Sequence, residues 1–283
     1  MPFGAHMSIA GGIARAFGRG EQVGCETMQI FTKNERQWKP KAYTAEEIET
    51  YVQEQQRTQI QPVVVHDSYL INLATADPDL WEKSLAAFAG ELERCALLGV
   101  PYVVSHPGAH TGSGEDAGIK RQAEALNRLF DEGVGNSVMV LLETTAGQGT
   151  VLGWRFEHLA QIRERVQHAE RIGICLDTCH IFAAGYDIRT AEAYTQTFAD
   201  FDRTIGLEHL KVFHLNDTQH QLGSRRDRHQ HIGQGHLGIE AFRLLVNDPR
   251  FREHPMIIET PKGKKMTEDT ENLTLLRSLR EEA

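Results

Sequence analysis

The stretch that decides the fold is G-I-C-L-D-T-C-H, residues 173–180. Its front half, entered from Ile172, is an apolar run with an interleaved cysteine, the composition of a short strand buried on both faces. Its back half changes character. Asp177 and His180 stand where such a strand runs out, and they offer a divalent metal an oxygen donor and an imidazole donor. Taken alone, the stretch reads equally well as a strand closed by a turn-forming Asp with a surface His nearby. Recurrence decides between the two.

The same pattern, an apolar run closing on a ligand-type residue, returns along the chain. Residues 62–65 run into His66, 102–105 into His106, 138–142 into Glu143, 210–213 into His214 and 256–258 into Glu259. Together with Asp177, these closing residues follow one another at steps of 34 to 45 positions, the length of one strand plus one helix. Two earlier runs, 3–5 ending at His6 and 28–31 ending at Thr32, bring the number of strands to eight. Eight such units predict an α/β fold, a single (β/α)8 TIM barrel spanning 1–283, with a metal site at the C-terminal ends of the strands. Ligands drawn from six strand ends then converge on one face.

The segments between the runs carry helix signals. Thr44 with Glu47 is a capping box for a helix to about residue 56, and Asp77-Pro78 is an N-cap followed by proline at the first helical position. Apolar residues at three-to-four spacing place further helices over 115–130, 154–166, 190–204, 239–246 and 268–279. The region 216–235 has no periodicity and is rich in His, Arg, Asp and Gly, as expected of a functional loop. Within it, Asp227 and His229 stand at i and i+2, so in an extended segment both emerge on one side; His231 is the rival for the second place.

Four cysteines without a C-x-x-C pair argue against a disulfide framework or a cysteine zinc knuckle. Cys175 reads as strand packing, and Cys179, between two ligand candidates, as an outside choice for metal. No apolar stretch approaches the roughly 20 residues of a membrane span. The opening M-P-F-G-A-H has no charged region followed by an apolar one, so a cytoplasmic protein is expected. A monomer with no membrane or protein partner is a separate expectation. The formal charge of −9 counts against a polyanionic partner, but its distribution weakens that objection. Basic residues crowd the loops of the ligand face: Lys33, Arg36, Lys39 and Lys41; Arg225, Arg226 and Arg228; Lys262, Lys264 and Lys265.

Nine candidate ligands, His66, His106, Glu143, Asp177, His180, His214, Asp227, His229 and Glu259, serve two or three ions if a carboxylate bridges. A mixed nitrogen and oxygen set without thiolate suits zinc, manganese or iron, and its richness in imidazole leans to zinc. Clustered metals suit phosphoryl transfer.

H-D-S-Y-L-I-N at 66–72, G-I-C-L-D-T-C-H at 173–180, and H-L-N-D at 214–217 followed by G-S-R-R-D-R-H-Q-H-I-G-Q-G at 223–235 resemble the three signatures of the endonuclease IV family of AP endonucleases. The opening G-A-H-M-S and F-T-K-N-E-R-Q-W are similar too, so the likeness covers nearly the whole chain. It implies a barrel holding three Zn2+ ions that cuts double-stranded DNA 5′ to abasic sites, leaving a 3′-hydroxyl and a 5′-deoxyribose phosphate. By motif, His66 and His106 hold the first ion and Glu143 bridges it to a second, which Asp177, His214 and Glu259 complete. His180, Asp227 and His229 take the third. Glu143 and Glu259 are the expected catalytic carboxylates, and Arg36, Tyr69 and Leu70 the expected DNA-probing residues. The chain departs from the family's pattern at Glu35, where Gln is frequent, and at Thr218-Gln219, where a small residue and Lys are usual. Metal-dependent sugar isomerases and epimerases share the barrel, but they generally need one or two ions and a lysine or carboxylate acid/base. They have no use for a third D-R-H site.

Overall fold

A computed structural model describes residues 1–281 of the chain. Strands β1 (Phe3–His6), β2 (Thr27–Ile30), β3 (Val63–His66), β4 (Tyr102–Ser105), β5 (Met139–Glu143), β6 (Ile172–Asp177) and β7 (Leu210–His214) run in sequence. After them, β8 (Asp217–Thr218) and β9 (His229–Gln230) form a small antiparallel hairpin, and β10 (Met256–Ile258) closes the main sheet. Parallel pairing runs from β2 round to β7, then to β10 and back to β1, giving a closed eight-stranded barrel.

Nine helices lie among the described residues: α1 (Arg15–Val23), α2 (Ala45–Thr58), α3 (Pro78–Leu97), α4 (Glu115–Asp131), α5 (Phe156–Arg165), α6 (Thr178–Ala184), α7 (Ala191–Thr204), α8 (Ile239–Val246) and α9 (Thr267–Ser278). The expected caps form. Glu47 N donates to Thr44 Oγ1 at 3.2 Å while Thr44 N donates to Glu47 Oε2 at 2.8 Å, and Asp77 Oδ1 accepts from Asp79 N and Leu80 N. None of the helices is long and apolar enough to cross a membrane among the described residues.

Period-two alternation splits each strand between two cores. Val63, Val65, Val103, Val140 and Leu142 face the helices, whereas Val64, Val104, Leu141, Cys175, Val212 and Ile257 pack together inside the barrel. This inner layer sets the site. Two residues further along each of those six strand paths stand His66, His106, Glu143, Asp177, His214 and Glu259, so they point the same way, one layer nearer the strand ends.

Two features differ from the sequence expectation. Strand β2 ends at Ile30, not at Thr32, so the residue it presents in the ligand layer is Gln29. The register pairs Gly4 with Thr27 and His6 with Gln29, which places β1 and β2 in step with the rest. The short α6 was not expected, because Thr178 to Ala183 are all buried and leave no amphipathic period to read. Asp177 caps it, with Oδ1 accepting from His180 N at 2.9 Å, and Gly185 at φ +115° ends it.

Candidate metal centre

The strand-end residues meet in three connected groups. His66 Nε2 and His106 Nε2 lie 3.2 and 3.1 Å from Glu143 Oε2. The other oxygen, Glu143 Oε1, is 2.8 Å from His214 Nδ1, which is also 3.3 Å from Glu259 Oε2 and 3.9 Å from Asp177 Oδ2. Asp227 faces His180 and His229, each Nε2 lying 3.2 Å from one of its oxygens. The ligand atoms within each of these three sets lie within 4.8 Å of one another. Asp177 and His180, three apart in sequence, fall in different sets because the α6 cap turns one Asp177 oxygen into the helix and swings His180 onto the next turn.

The imidazoles are oriented for metal. His66 Nδ1 donates to Asp67 O at 2.8 Å, His180 Nδ1 to Thr144 O at 2.7 Å, and His229 Nδ1 to Glu259 O at 3.2 Å. Each contact consumes one ring nitrogen on a carbonyl and leaves the lone pair of the other facing the cluster, as ligating histidines require. His180 Nε2 and His229 Nε2 are buried and, although each has an Asp227 oxygen at 3.2 Å, neither makes a hydrogen bond. Buried polar atoms are rarely left so. The donor set therefore fits divalent ions.

Charge tells the same story. Burial opposes protonation of His66, but the Glu143 carboxylate more than offsets it and raises its pKa to about 9. Burial likewise opposes charge on His229, yet Asp177 and Asp227 bring it to about 9. Glu143 is held well below the usual carboxylate range, since His214 and His106 outweigh its complete burial. A metal-free cluster thus stores protons where cations would sit. The sets also pass close to Cys175 and Cys179. Burial pushes both thiols up to about 12, away from the thiolate that binds metal.

Residues beyond the candidate ligands hold the arrangement. Asn216 Nδ2 donates to Asp177 Oδ2 at 2.7 Å while its Oδ1 accepts from Glu259 N at 2.8 Å, tying β6 to β10. Asp217 accepts from the backbone N–H groups of Thr218, Gly235, Leu237 and Gly238, so one buried carboxylate gathers both ends of the long loop that carries Asp227 and His229. A Cβ on Gly235 would meet Thr218 O at 2.3 Å, so only glycine fits beside that anchor. His231 turns away, with Nδ1 accepting from Asn272 Nδ2 at 3.1 Å.

The chain has relatives over nearly its whole length. A family model described as "Xylose isomerase-like TIM barrel" matches residues 17–281. A curated "Probable endonuclease 4" from Chloroflexus aggregans is 65% identical over 98% of this chain and 97% of its own length. Another from Geobacter sp. (strain M21) is 50% identical over 98% of both chains. Among solved structures, endonuclease IV from Thermus thermophilus superposes with a TM-score of 0.86 at 39% identity, covering 99% of this chain and 98% of that one. The chain belongs to the endonuclease IV family of AP endonucleases. A D-tagatose 3-epimerase-like protein, at 17% identity and TM-score 0.74, shares the barrel.

Beside the candidate metal centre, the loops after β2 and β3 project. Tyr69 is 61% exposed and not in the core, its ring 5.3 Å from His66 and 5.8 Å from Phe31. Leu70 is half-buried and Arg36 exposed. Ser68 Oγ donates to Glu35 O at 2.5 Å and stitches the two loops together. A cavity of about 580 Å³ opens between them, lined by His6, Phe31, Asn34, Tyr69 and Lys262.

The basic residues of these loops are not all free of partners. Lys33 is buried and paired with Glu91 of α3. Arg225 lies flat on the Trp154 ring at 3.4 Å, and Lys262 is engaged by Asp269 at 2.7 Å. Arg36, Lys39, Arg226, Arg228, Lys264 and Lys265 remain exposed. At the departures from the family pattern, Glu35 pairs with Arg36 at 3.6 Å, and Gln219 Nε2 donates to His229 O at 2.9 Å. Gln219 therefore supports the loop from within.

Proposed function

We propose that the chain hydrolyses the phosphodiester 5′ to abasic sites in duplex DNA with three zinc ions, leaving a 3′-hydroxyl and a 5′-deoxyribose phosphate. The observation that carries the reading is the set of three ligand groups sharing one face, with each oriented imidazole presenting a free lone pair to it. His66, His106 and Glu143 would hold one ion, Glu143, Asp177, His214 and Glu259 a second, and His180, Asp227 and His229 the third. Bound there, such ions make water acidic near neutral pH and take up charge on phosphate oxygens. Glu143 and Glu259 keep the groups at fixed spacing, so little reorganisation is left for the reaction itself. The carboxylates present, Glu143, Asp177, Asp227 and Glu259, carry less charge than three divalent ions would bring. An acidic chain can then draw a phosphate to this face.

Recognition falls to the projecting loops. A missing base has no edge to read, so the site must test how readily the duplex opens, which costs least where the base is gone. Tyr69 and Leu70 follow the anchored His66 directly and can fill the gap as a wedge. Arg36 enters from the neighbouring loop. A sugar isomerase reading leaves the third ligand group and the exposed Tyr69 without a task.

The test is a duplex carrying one abasic analogue, with product ends identified and zinc measured on protein purified without chelator. Cleavage 5′ to the lesion with close to three zinc ions per chain is expected; full activity with a reproducible value near one would overturn the trinuclear arrangement. Tyr69→Ala and Leu70→Ala are expected to slow cleavage of abasic duplex, for Tyr69 by roughly 5- to 150-fold, the worth of one aromatic stacking contact. Zinc content should stay normal, and the loss should shrink on substrates bulged or nicked at the lesion. Equal losses on rigid and opened substrates would reject the wedge. His229→Ala should remove the third ion and slow cleavage by at least about tenfold, a lower bound taken from the loss of a supporting contact to a ligand. His231→Ala, whose ring serves only Asn272, should stay within about 0.5 kcal/mol of the parent. The reverse ranking, in parallel rate and zinc measurements, would misplace the third site by one alternation.

A further inference from the structure

The ligand layer has a member on each of the eight barrel strands, and six of them are the metal-type residues already described. The remaining two are His6 and Gln29, paired in register at the ends of β1 and β2. Gln29 is fully buried, and an amide placed there must have both its ends satisfied. Its Nε2 lies 2.5 Å from Glu259 Oε1 and 2.9 Å from His6 Nδ1, and its Oε1 lies 2.7 Å from His214 Nε2.

Donor and acceptor roles in this chain are not free to vary. An ionised carboxylate only accepts, so the amide nitrogen of Gln29 must be the atom facing Glu259. That fixes the amide oxygen against His214, and His214 Nε2 must then donate to it. The lone pair of His214 Nδ1 is left facing Glu143 Oε1 and Glu259 Oε2, at 2.8 and 3.3 Å. His214 thus resembles the other oriented histidines, with one difference. His66, His180 and His229 donate to backbone carbonyls, while His214 depends on a side chain.

We propose that Gln29 is a positioning residue of the metal centre: it selects the ring nitrogen that His214 presents and turns the Glu259 carboxylate so that Oε2 faces the same ion. The inference rests on the zinc-site reading above. Because both ends of Gln29 serve ligands of a single ion, its loss should be felt at that ion and not evenly across the three.

The test uses the zinc-loaded protein. In Gln29→Leu, competition with a chromophoric chelator should show one zinc ion bound about 10- to 100-fold more weakly, the cost typical of losing a partner that orients a ligand. The other two should be released as in the parent, and kcat should fall with KM for the duplex unchanged. In the parent, long-range proton–nitrogen correlation spectra should show His214 protonated at Nε2, a readout that needs no variant to fold. In Gln29→Glu the carboxylate still accepts from His214 but repels Glu259, so the His214 signal should persist while zinc affinity drops. Parent-like release of all three ions from Gln29→Leu, or a parent His214 protonated at Nδ1, would overturn the proposal. Parent protein that binds no zinc would instead remove the reading beneath it.

Discussion

Glu143→Ala is expected to lower the cleavage rate by at least about three orders of magnitude, the upper range seen when one preorganised charge-stabilising group is removed. Affinity for abasic duplex should stay within a few-fold. The carboxylate is fully buried and each oxygen serves a different group, Oε2 between His66 and His106 and Oε1 against His214. In the proposed arrangement its removal would separate two ions that act on one phosphate. On the proposed reading the duplex, by contrast, is gripped by Arg36, Tyr69 and Leu70 on the projecting loops, and those contacts form before the reaction begins. Glu259→Gln should behave alike while keeping its shape, since the charge facing His214 is lost and one carboxylate oxygen becomes an NH2 group. Single-turnover cleavage set beside equilibrium DNA binding separates the two quantities. Comparable losses in both would contradict this division of labour.

The barrel and most of the candidate site were legible because the chemistry lies on a simple repeat. A strand buried on both faces cannot hold a polar side chain until it nears its end, so each apolar run announces the residue that closes it. His66, His106, Glu143, His214 and Glu259 all stand out for that reason. Gln29 escaped because it sits inside the run M-Q-I-F, is not a metal-type residue, and was hidden by placing the strand end at Thr32. The parity of the inner layer would have found it: His6 lies two residues past Gly4, and Gln29 two past Thr27. The partner of Lys33 could not be read at all. Glu91 lies 58 residues away on the face of α3, and only the folded chain brings the two charges together. Helix α6 was invisible for the opposite reason, being buried all round.

Chelator-treated protein is expected to be inactive, and its stability should respond to pH in the sense opposite to that of the zinc-loaded form. Without metal, His66 and His229 titrate at about 9, and burial fails to keep His180 and His214 neutral against the surrounding carboxylates. In the unfolded chain these histidines titrate near about 6.5. A raised histidine pKa contributes stability that is fully present below about 6.5 and is lost as pH climbs through the folded value. The depressed carboxylates Glu143 and Glu259 contribute stability that is present above their unfolded pKa and lost only in acid. Metal-free protein should therefore lose thermal stability between about pH 6.5 and 9. Zinc needs the same nitrogens unprotonated, so its apparent affinity, and the stability it adds by binding only the folded chain, rises over that interval. Melting temperatures recorded at pH 6, 7.5 and 9 with and without chelator should diverge as pH increases. Parallel curves, or a metal-free form that gains stability through this range, would mean that the buried imidazoles are not poised between protons and metal.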